Sequence, residues 1–236
     1  MKKYYKIAGL TVQMESFGRT VEQAAPYEIE PVEKADVVIE NAPSEYINKY
    51  SYLSPSECEY IYTGMSFYKQ LINYGGIMLH SSAVVVDGRA YLFTAASGTG
   101  KSTHTAFWRK ALSGHHDIVM VNDDKPLIRV MKQGVFACGS PWSGTYGLNT
   151  DVSLPVRAIC VLHRAVENQI EPLAKNRVFA ELYQRVYLPP NAEGTQRVLA
   201  MLNQTIHFVS FWSLGCNMTE EAALTAYHAM KKGDNK

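Results

Sequence analysis

Several features are scarce in this 236-residue chain, and each scarcity excludes a class of protein. The four cysteines are widely and irregularly spaced with no Cys-x-x-Cys pair, so we expect reduced thiols rather than a disulfide framework or a zinc site. No apolar run approaches the ~18 residues that a membrane-spanning helix requires. The N-terminus lacks the apolar segment of a signal peptide. These absences predict a cytoplasmic protein with no membrane partner.

An excess of charge of either sign is missing as well. Lysine and arginine total 23 and aspartate and glutamate total 22, so the net charge of +1 gives no reason to expect a nucleic-acid partner. Hydrophobic residues make up 47% of the chain and charged residues 19%, as in folded globular proteins. The length suits one domain with an appendage, and we predict an N-terminal α+β module at residues 1–74 and a larger domain at residues 75–232.

The predicted N-terminal module contains a well-marked helix. Ser54 suits the N-cap, Pro55 suits the first helical position, and Glu57 completes a capping box. Ile7–Phe17 and Val37–Ile39 are predicted to be strands. The helix is expected to bury the apolar residues that recur at helical spacing, which are Ile61, Met65, Tyr68 and Ile72.

The most informative stretch is a glycine-rich loop between a strand and a helix. Ala90–Phe93 is an apolar run typical of a buried strand, and residues 104–110 suit a helix. Between them the sequence follows the Walker A pattern G-x-x-x-x-G-K-[ST], except that Ala95 replaces the first glycine. The residues predicted to bind phosphate are Ala96, Ser97, Gly98, Thr99, Gly100, Lys101, Ser102 and Thr103. The alternative is a Gly/Ser-rich turn that contains a lysine by chance.

Two residues at the end of this loop have specific expected roles. In a Walker A loop the lysine, here Lys101, reaches the β- and γ-phosphates, and the following hydroxyl, here Ser102, ligates Mg²⁺. The motif therefore predicts ATP or another nucleoside di- or triphosphate as the ligand, together with Mg²⁺. The domain at residues 75–232 is accordingly predicted to bind a nucleotide.

A hairpin is predicted to lead into the loop. The apolar run Ile77–Val86 is joined to the strand before the loop by Asp87-Gly88, a pair that a type I′ turn prefers. With those two residues as the turn, the register places His80 opposite Ala95. His80 is therefore a candidate for a role beside bound phosphates, and the alternative is a histidine that is merely satisfied at a strand end.

A pair of acidic residues follows the next predicted strand. The apolar run Ile118–Val121 leads into Asn122, Asp123 and Asp124. A carboxylate at a strand end beside a Walker A loop is the usual second anchor of the nucleotide's Mg²⁺. Two adjacent carboxylates allow one to hold the metal and the other to accept a proton, because close like charges raise the pKa of one of them. The sequence leaves the two roles unassigned, and a polar turn is the alternative.

Together these residues give the chain a resemblance to the HPr kinase/phosphorylase family. The features are a histidine 21 positions before the loop lysine, the Ser97–Ser102 loop after a hairpin, and the Asp123-Asp124 strand end. The loop also resembles that of phosphoenolpyruvate carboxykinase. Leu79–Ser82 and Gly139–Gly144 are similar to segments of the small HPr-kinase-related proteins found near peptide-maturation genes. The resemblance covers about residues 75–230 and implies an α/β fold whose mixed sheet feeds the loop through a hairpin.

The resemblance also implies a function. It indicates a Mg²⁺-dependent kinase that transfers a phosphoryl group to a hydroxyl, on a serine of a peptide or small protein or on a small metabolite. The catalytic residues would be Lys101, His80, Asp123 and Asp124, with one aspartate as the base, and Ser102 and the aspartates would hold the metal. One alternative is a nucleotide-binding regulator or scaffold without catalysis, and another is a metabolic enzyme similar to the carboxykinases.

The rest of the chain contributes a loop and several regular elements. The Pro-Trp loop, Gly139–Thr145, would hold the acceptor or the nucleotide, or would be a plain structural turn. The last four residues are expected to fray. The further predicted elements are a strand at Pro155–His163, helices at residues 178–187 and 195–203, a strand at Ile206–Trp212, and a final helix from Asn217 or Thr219 to about Gly233.

Overall fold

The structure, a computed structural model, describes residues 2–232. Its strands are β1 (Lys3–Ile7), β2 (Leu10–Met14), β3 (Glu28–Ile29), β4 (Val37–Ile39), β5 (Gly76–Met78), β6 (Ser82–Val86), β7 (Arg89–Thr94), β8 (Ile118–Asn122), β9 (Leu127–Met131), β10 (Gly134–Cys138), β11 (Ser153–Arg164), β12 (Gln169–Pro172) and β13 (Ser210–Cys216). Its helices are α1 (Arg19–Ala24), α2 (Ser44–Lys49), α3 (Pro55–Leu71), α4 (Lys101–Leu112), α5 (Lys175–Tyr183), α6 (Ala192–Phe208) and α7 (Glu220–Lys232). None of these described helices is long and apolar enough to cross a membrane.

The first four strands form a small sheet in the order β3-β1-β2-β4. β1 and β2 are antiparallel neighbours, whereas β4 runs parallel to β2. The helix α3 begins as predicted, because the Ser54 hydroxyl accepts from the Glu57 amide and the Glu57 carboxylate accepts from the Ser54 amide. The capping box in the sequence thus predicted the start of the helix correctly.

The predicted buried face of α3 is wrong in part. Tyr68 is buried, but Ile61 and Met65 are exposed. The inner face of the helix instead lies against Trp142, so closely that a Cβ on Gly64 would stand 2.9 Å from the indole. Contact with Trp142, which is distant in sequence, therefore determines which face of the helix is buried. The apolar spacing within the helix did not predict this face.

Within residues 2–232, the other strands form one mixed sheet of nine. The main order is β5-β9-β10-β11-β7-β6-β8, and β13 pairs with β11 and carries β12 on its other side. β11 runs parallel to both β7 and β13, and the remaining pairs in this sheet are antiparallel. The predicted α/β class with a mixed sheet is confirmed.

β6 and β7 are antiparallel and pair in the predicted register around Asp87-Gly88. Both turn residues have positive φ, as a type I′ turn requires. The prediction of one strand over Ile77–Val86 is wrong, because residues 79–81 separate β5 from β6. The His80 amide donates to the Arg185 carbonyl at 2.8 Å, so the turn after α5 bonds this residue in place of a neighbouring strand.

Helices cover both faces of the mixed sheet. On one face Val85 and Leu92 belong to a cluster completed by residues of α5 and α6. On the other face Val84 and Tyr91 belong to a cluster completed by residues of α4 and α7. The two sets alternate along β6 and β7 because successive side chains of a strand point to opposite faces. All five residues of β6 are buried, because helices cover the sheet on both faces.

Two predicted boundaries near the C-terminus differ from the structure. α5 is shorter at its C-terminal end than the predicted helix at residues 178–187. α6 continues to Phe208, so the predicted strand at Ile206–Trp212 is wrong in its first part. The Val209 amide still donates to the Thr205 carbonyl at 3.1 Å, which shows helical bonding where β-prone residues suggested a strand. The predicted frayed end lies outside the described residues.

The two sheets share a hydrophobic cluster. It contains Tyr5 and Val12 of the first sheet, Phe67 of α3, and Leu127 and Trp142 from later in the chain. The rings of Phe67 and Trp142 are stacked with their centroids 5.0 Å apart. Residues on both sides of the predicted division after residue 74 therefore pack together, and the division itself stays a prediction.

Candidate functional site

Residues 95–100, here called the glycine loop, connect β7 to α4. Gly98 and Gly100 have φ values of 74° and 115°, a conformation that other residues rarely adopt. Ala95 does not have a positive φ and is 1% exposed, in a buried cluster with Trp108. Alanine at this position therefore imposes no backbone strain, and the two residues that need to be glycine are glycine.

The N-terminus of α4 is open towards the glycine loop. Its N-cap is Gly100, and no side chain among the described residues caps the first turn. By contrast, Ser54 and Asn191 cap α3 and α6 through their side chains. The first amides of a helix and the helix dipole together favour an anion at such an end.

Lys101 is the first residue of α4 and is only 7% exposed. Burial lowers the pKa of its amino group, the carboxylate of Asp124 opposes this effect, and the cations Arg185 and Lys125 add to the lowering. A bound polyanion would favour the charged form of this lysine. The position is therefore suited to phosphate rather than to bulk solvent.

Asp123 follows β8 and is 2% exposed. Its Oδ1 accepts from the Gly144 amide at 2.6 Å, and its carbonyl accepts from the Ser102 hydroxyl at 3.4 Å. Within residues 2–232, its Oδ2 is buried with no hydrogen-bond partner. Burial raises the pKa of the carboxyl, the Gly144 amide opposes this, and Asp124 raises it further. A buried carboxylate oxygen without a partner fits a cation ligand.

Asp124 pairs with His80 beside the start of the glycine loop. His80 Nε2 lies 3.0 Å from Asp124 Oδ1, and Lys125 donates to the other carboxylate oxygen. Burial raises the pKa of Asp124, but His80 and Lys125 outweigh burial and hold the pKa below its usual range. Thr94 Oγ1 donates to the His80 carbonyl at 2.9 Å, so His80 stands next to the end of β7, although the strand pairing that was predicted to reach it ends at Ser82.

Asn122 holds the turn that contains Asp123 and Asp124. The sequence analysis did not predict this role for Asn122. Its Oδ1 accepts from the amides of Asp124 at 2.9 Å and Lys125 at 2.7 Å. Its Nδ2 donates to the carbonyls of Ser140 at 3.1 Å and Trp142 at 3.2 Å. The signal in the sequence is an asparagine at the first position of a polar turn, where its side chain can bond the backbone two residues on.

The Pro-Trp loop supplies the Gly144 amide and is held by the N-terminal part of the chain. The Tyr60 hydroxyl of α3 accepts from the Ser143 amide at 2.5 Å. Arg19 lies over the Tyr60 ring, 4.2 Å from its centroid, and donates to the Gly144 carbonyl. Neither Tyr60 nor Arg19 was predicted to matter, because nothing in their local sequence indicates the loop that they contact.

A cavity of about 220 Å³ opens beside the first turn of α4. Ser102 and Asp123 line it on the polar side. Met120, Leu148 and the 70%-exposed Tyr146 line it on the apolar side. A flat apolar ring would fit against the apolar side of this cavity, with the Ser102 hydroxyl beside it.

The residues predicted to hold a metal are Ser102, Asp123 and Asp124. Among residues 2–232, no group of three or more His, Cys, Asp or Glu side chains is placed to hold a metal ion. Mg²⁺ commonly takes one or two carboxylates and completes its shell with phosphate oxygens and water. Asp123 and Ser102 fit that smaller set. Asp124 fits it less well, since both of its carboxylate oxygens already have partners.

Comparison with protein families adds one finding. The family model described as ScmC, SynChlorMet cassette protein ScmC, matches residues 58–188, which is just over half of the chain. The chain belongs to the ScmC family. The matched ScmC segment contains His80, the glycine loop, Lys101 and the two aspartates.

A similar solved structure is that of the Hpr(Ser) kinase/phosphatase from Coxiella burnetii. The likeness covers 53% of this ScmC-family chain and 88% of that chain, with 14% sequence identity and a TM-score of 0.28. A TM-score this low does not establish a shared fold. No curated protein matches the chain.

Proposed function

We propose that this ScmC-family protein binds a nucleoside triphosphate with Mg²⁺ and transfers its γ-phosphoryl group to a hydroxyl. One observation carries the proposal: Lys101 and Ser102 begin an uncapped helix beside Asp123, whose Oδ2 is buried and unpartnered within residues 2–232. The spacing of His80, the glycine loop and the aspartate pair also resembles that of HPr kinases, which supports the same class of reaction.

In this proposal the glycine loop is a phosphate-binding loop fed by the β6–β7 hairpin. Its backbone amides and the first turn of α4 bind the β- and γ-phosphates, and Lys101 contacts them from the helix. Ser102 and Asp123 hold Mg²⁺, which when bound neutralises charge on the phosphates. The low exposure of Lys101 and Asp123 supports these roles, because water competes poorly for groups that are buried in this way.

In this proposal His80 and Asp124 together accept the proton of the attacking hydroxyl. Asp124 fixes Nε2 of His80, and Nδ1 accepts the proton from the attacking hydroxyl while Asp124 stabilises the imidazolium. The hydroxyl oxygen forms a bond to the γ-phosphorus, the bond from that phosphorus to the β–γ bridging oxygen breaks, and a nucleoside diphosphate leaves. Asp124 is a weak base by itself, since its pKa lies below the usual range.

The cavity beside α4 is the proposed site of the nucleoside. Its apolar lining suits a base, and the exposed Tyr146 ring offers a surface on which the base can stack. Ser102 lines the other side of the cavity, next to the proposed position of the phosphates. Tyr146 therefore contributes to nucleotide binding but not to pyrophosphate binding in this arrangement.

The substitution His80→Gln tests the transfer step separately from binding. We expect nucleotide binding to stay within about threefold of wild type while turnover falls by about 10²- to 10⁴-fold, because the proton acceptor is lost. Phosphorus NMR of the nucleotide and product, with free serine, serine peptides and small alcohols as acceptors, measures turnover, and calorimetry measures binding.

The exposed His115 provides the control, since His115→Gln changes a histidine away from the site. Equal turnover in His80→Gln and His115→Gln would contradict the role of His80. Nucleotide binding by wild type with no turnover of any acceptor would instead identify a nucleotide-binding regulator without catalysis.

A further inference from the structure

A second cavity lies on the other side of the glycine loop. Its volume is about 450 Å³, and Ala96 and Thr99 of the glycine loop form part of its lining. It shares no lining residue with the smaller cavity beside α4. Three arginines line it, and we call it the arginine pocket after Arg164, Arg177 and Arg185.

The fold brings these arginines to the end of the sheet where the glycine loop begins. Arg164 is the last residue of β11, which runs parallel to β7, and its guanidinium donates to the Gly98 carbonyl at 2.7 Å. Arg177 belongs to α5, and Arg185 follows that helix. Ligands of open α/β sheets commonly bind outside the carboxyl ends of parallel strands, which is where this pocket lies.

Arg185 is the most buried of the three, with a side chain 13% exposed. Its Nη1 lies 2.8 Å from a carboxylate oxygen of Glu181. Its Nε is buried and has no hydrogen-bond partner within residues 2–232. The charge of Arg185 also acts on Lys101, whose pKa it helps to lower after the larger effect of burial. Arg185 thus brings a largely buried cation to the lining of the pocket, near Lys101.

The charge balance of the pocket favours an anion. Two glutamates, Glu171 and Glu181, also line it, but Glu181 is already paired with Arg185. Within residues 2–232, neither Arg164 nor Arg177 forms an ion pair. The lining therefore contains two guanidinium groups and one carboxylate, that of Glu171, that form no ion pair within residues 2–232. Guanidinium groups bind carboxylate and phosphate oxygens through two parallel hydrogen bonds.

We propose that the arginine pocket binds an oxyanion, a carboxylate or phosphate carried by the phosphoryl acceptor. This rests on the proposed function only in naming the acceptor, since oxyanion binding itself needs no nucleotide. An acceptor bound there lies next to Arg185 and contacts the glycine loop at Ala96 and Thr99, outside the cavity proposed for the nucleoside. The proposal thus assigns the acceptor class: a hydroxyl compound or serine segment with an acidic group nearby.

Calorimetric titration of the whole protein with O-phosphoserine and with glutarate tests the proposal and separates the two oxyanion sources. Arg177→Gln should weaken binding of the preferred probe by about tenfold, because a charge-assisted contact is lost. Glu171→Gln should strengthen it, because the opposing carboxylate is removed. Arg89→Gln, an exposed arginine at the opposite end of β7, should leave it unchanged.

Lys101→Ala distinguishes the arginine pocket from the glycine loop. Retained probe binding in Lys101→Ala, together with loss in Arg177→Gln, supports the pocket even if no nucleotide binds the wild type. Binding that disappears in Lys101→Ala but persists in Arg177→Gln would place the probe in the glycine loop and overturn the proposal. Failure of both probes to bind the folded wild type would overturn it as well, whereas nucleotide binding that depends on Lys101 would leave the proposed function standing.

Discussion

Single residues of the glycine loop differ in what they require of the backbone. Gly100 has a φ of 115°, and a Cβ there would lie 3.2 Å from the Met218 side chain. Ala95 is buried without positive φ. The Walker A pattern places glycine at both positions, yet only one of these two is needed to shape the loop.

This difference predicts that substitutions of Gly100 and Ala95 have unequal effects on nucleotide binding. Gly100→Ala should weaken nucleotide binding by at least about tenfold, because a strain of about 1–2 kcal/mol displaces the amides that are proposed to bind the phosphates. Ala95→Gly should leave binding unchanged and lower the free energy of unfolding by about 0.5–1 kcal/mol. Calorimetry with Mg²⁺–ADP and urea unfolding measure the two quantities. A larger loss of binding in Ala95→Gly than in Gly100→Ala would show that the motif glycine matters for a reason other than backbone geometry.

Among the elements, α4 packs against strand β7 of the sheet through a buried histidine. His104 is 3% exposed, and its Nε2 accepts from Trp108 Nε1 at 3.0 Å. Its ring packs against Phe93 with the centroids 4.7 Å apart. Burial lowers the pKa of His104 from 6.5 to about 4. The helix that begins the proposed phosphate site thus depends on a neutral imidazole.

The lowered pKa predicts a loss of stability in mild acid. The unfolded chain binds a proton at His104 below about pH 6.5, whereas the folded chain does so only below about pH 4. The stability is therefore complete above pH 6.5 and should fall by about 3 kcal/mol from this group as the pH drops to 4. Urea unfolding from pH 7 to 4 measures this change, which His104→Gln should lack. The same pH dependence in both proteins would contradict the buried neutral histidine.

The Pro-Trp loop connects α3 to the site and predicts an effect at a distance. Tyr60→Phe removes the hydroxyl that bonds the Ser143 amide, so the neighbouring Gly144 amide should hold Asp123 less firmly. We expect the enhancement of nucleotide binding by Mg²⁺ to fall about three- to tenfold, with little change in binding without Mg²⁺. Calorimetry with and without Mg²⁺ gives both values. Tyr62→Phe on the same helix is the control, and an equal loss in the two variants would refute a specific role for Tyr60.

For the whole molecule, the features predicted from the sequence are those with local causes. The Asp87-Gly88 turn fixes the register of β6 and β7, and the capping box at Ser54 fixes the start of α3. The glycine loop follows the pattern of its own residues between a strand and a helix. In each case the residues that decide the structure lie within a few positions of one another, so the sequence exposes them directly.

The features that the sequence did not reveal depend on partners far along the chain. β5 and β6 separate because the His80 amide bonds to Arg185, and α3 turns its inner face to Trp142. The different surroundings of the two aspartates likewise depend on a distant residue, because the Gly144 amide donates to Asp123. No periodicity or motif records such contacts, because tertiary packing rather than local propensity sets them.

Nucleotide binding at the glycine loop is tested most directly by thermal unfolding of wild type, Lys101→Ala and Lys110→Ala. Lys110 lies on the same helix but is exposed, so its substitution controls for loss of a charge. We predict that ATP, ADP, GTP or pyrophosphate stabilises wild type and Lys110→Ala when Mg²⁺ is present, by about 2.7 kcal/mol at 100 times the Kd. We predict that Lys101→Ala is not stabilised. No stabilisation of folded wild type by any of the four, or equal stabilisation of Lys101→Ala, would contradict a phosphate-binding loop at residues 95–100.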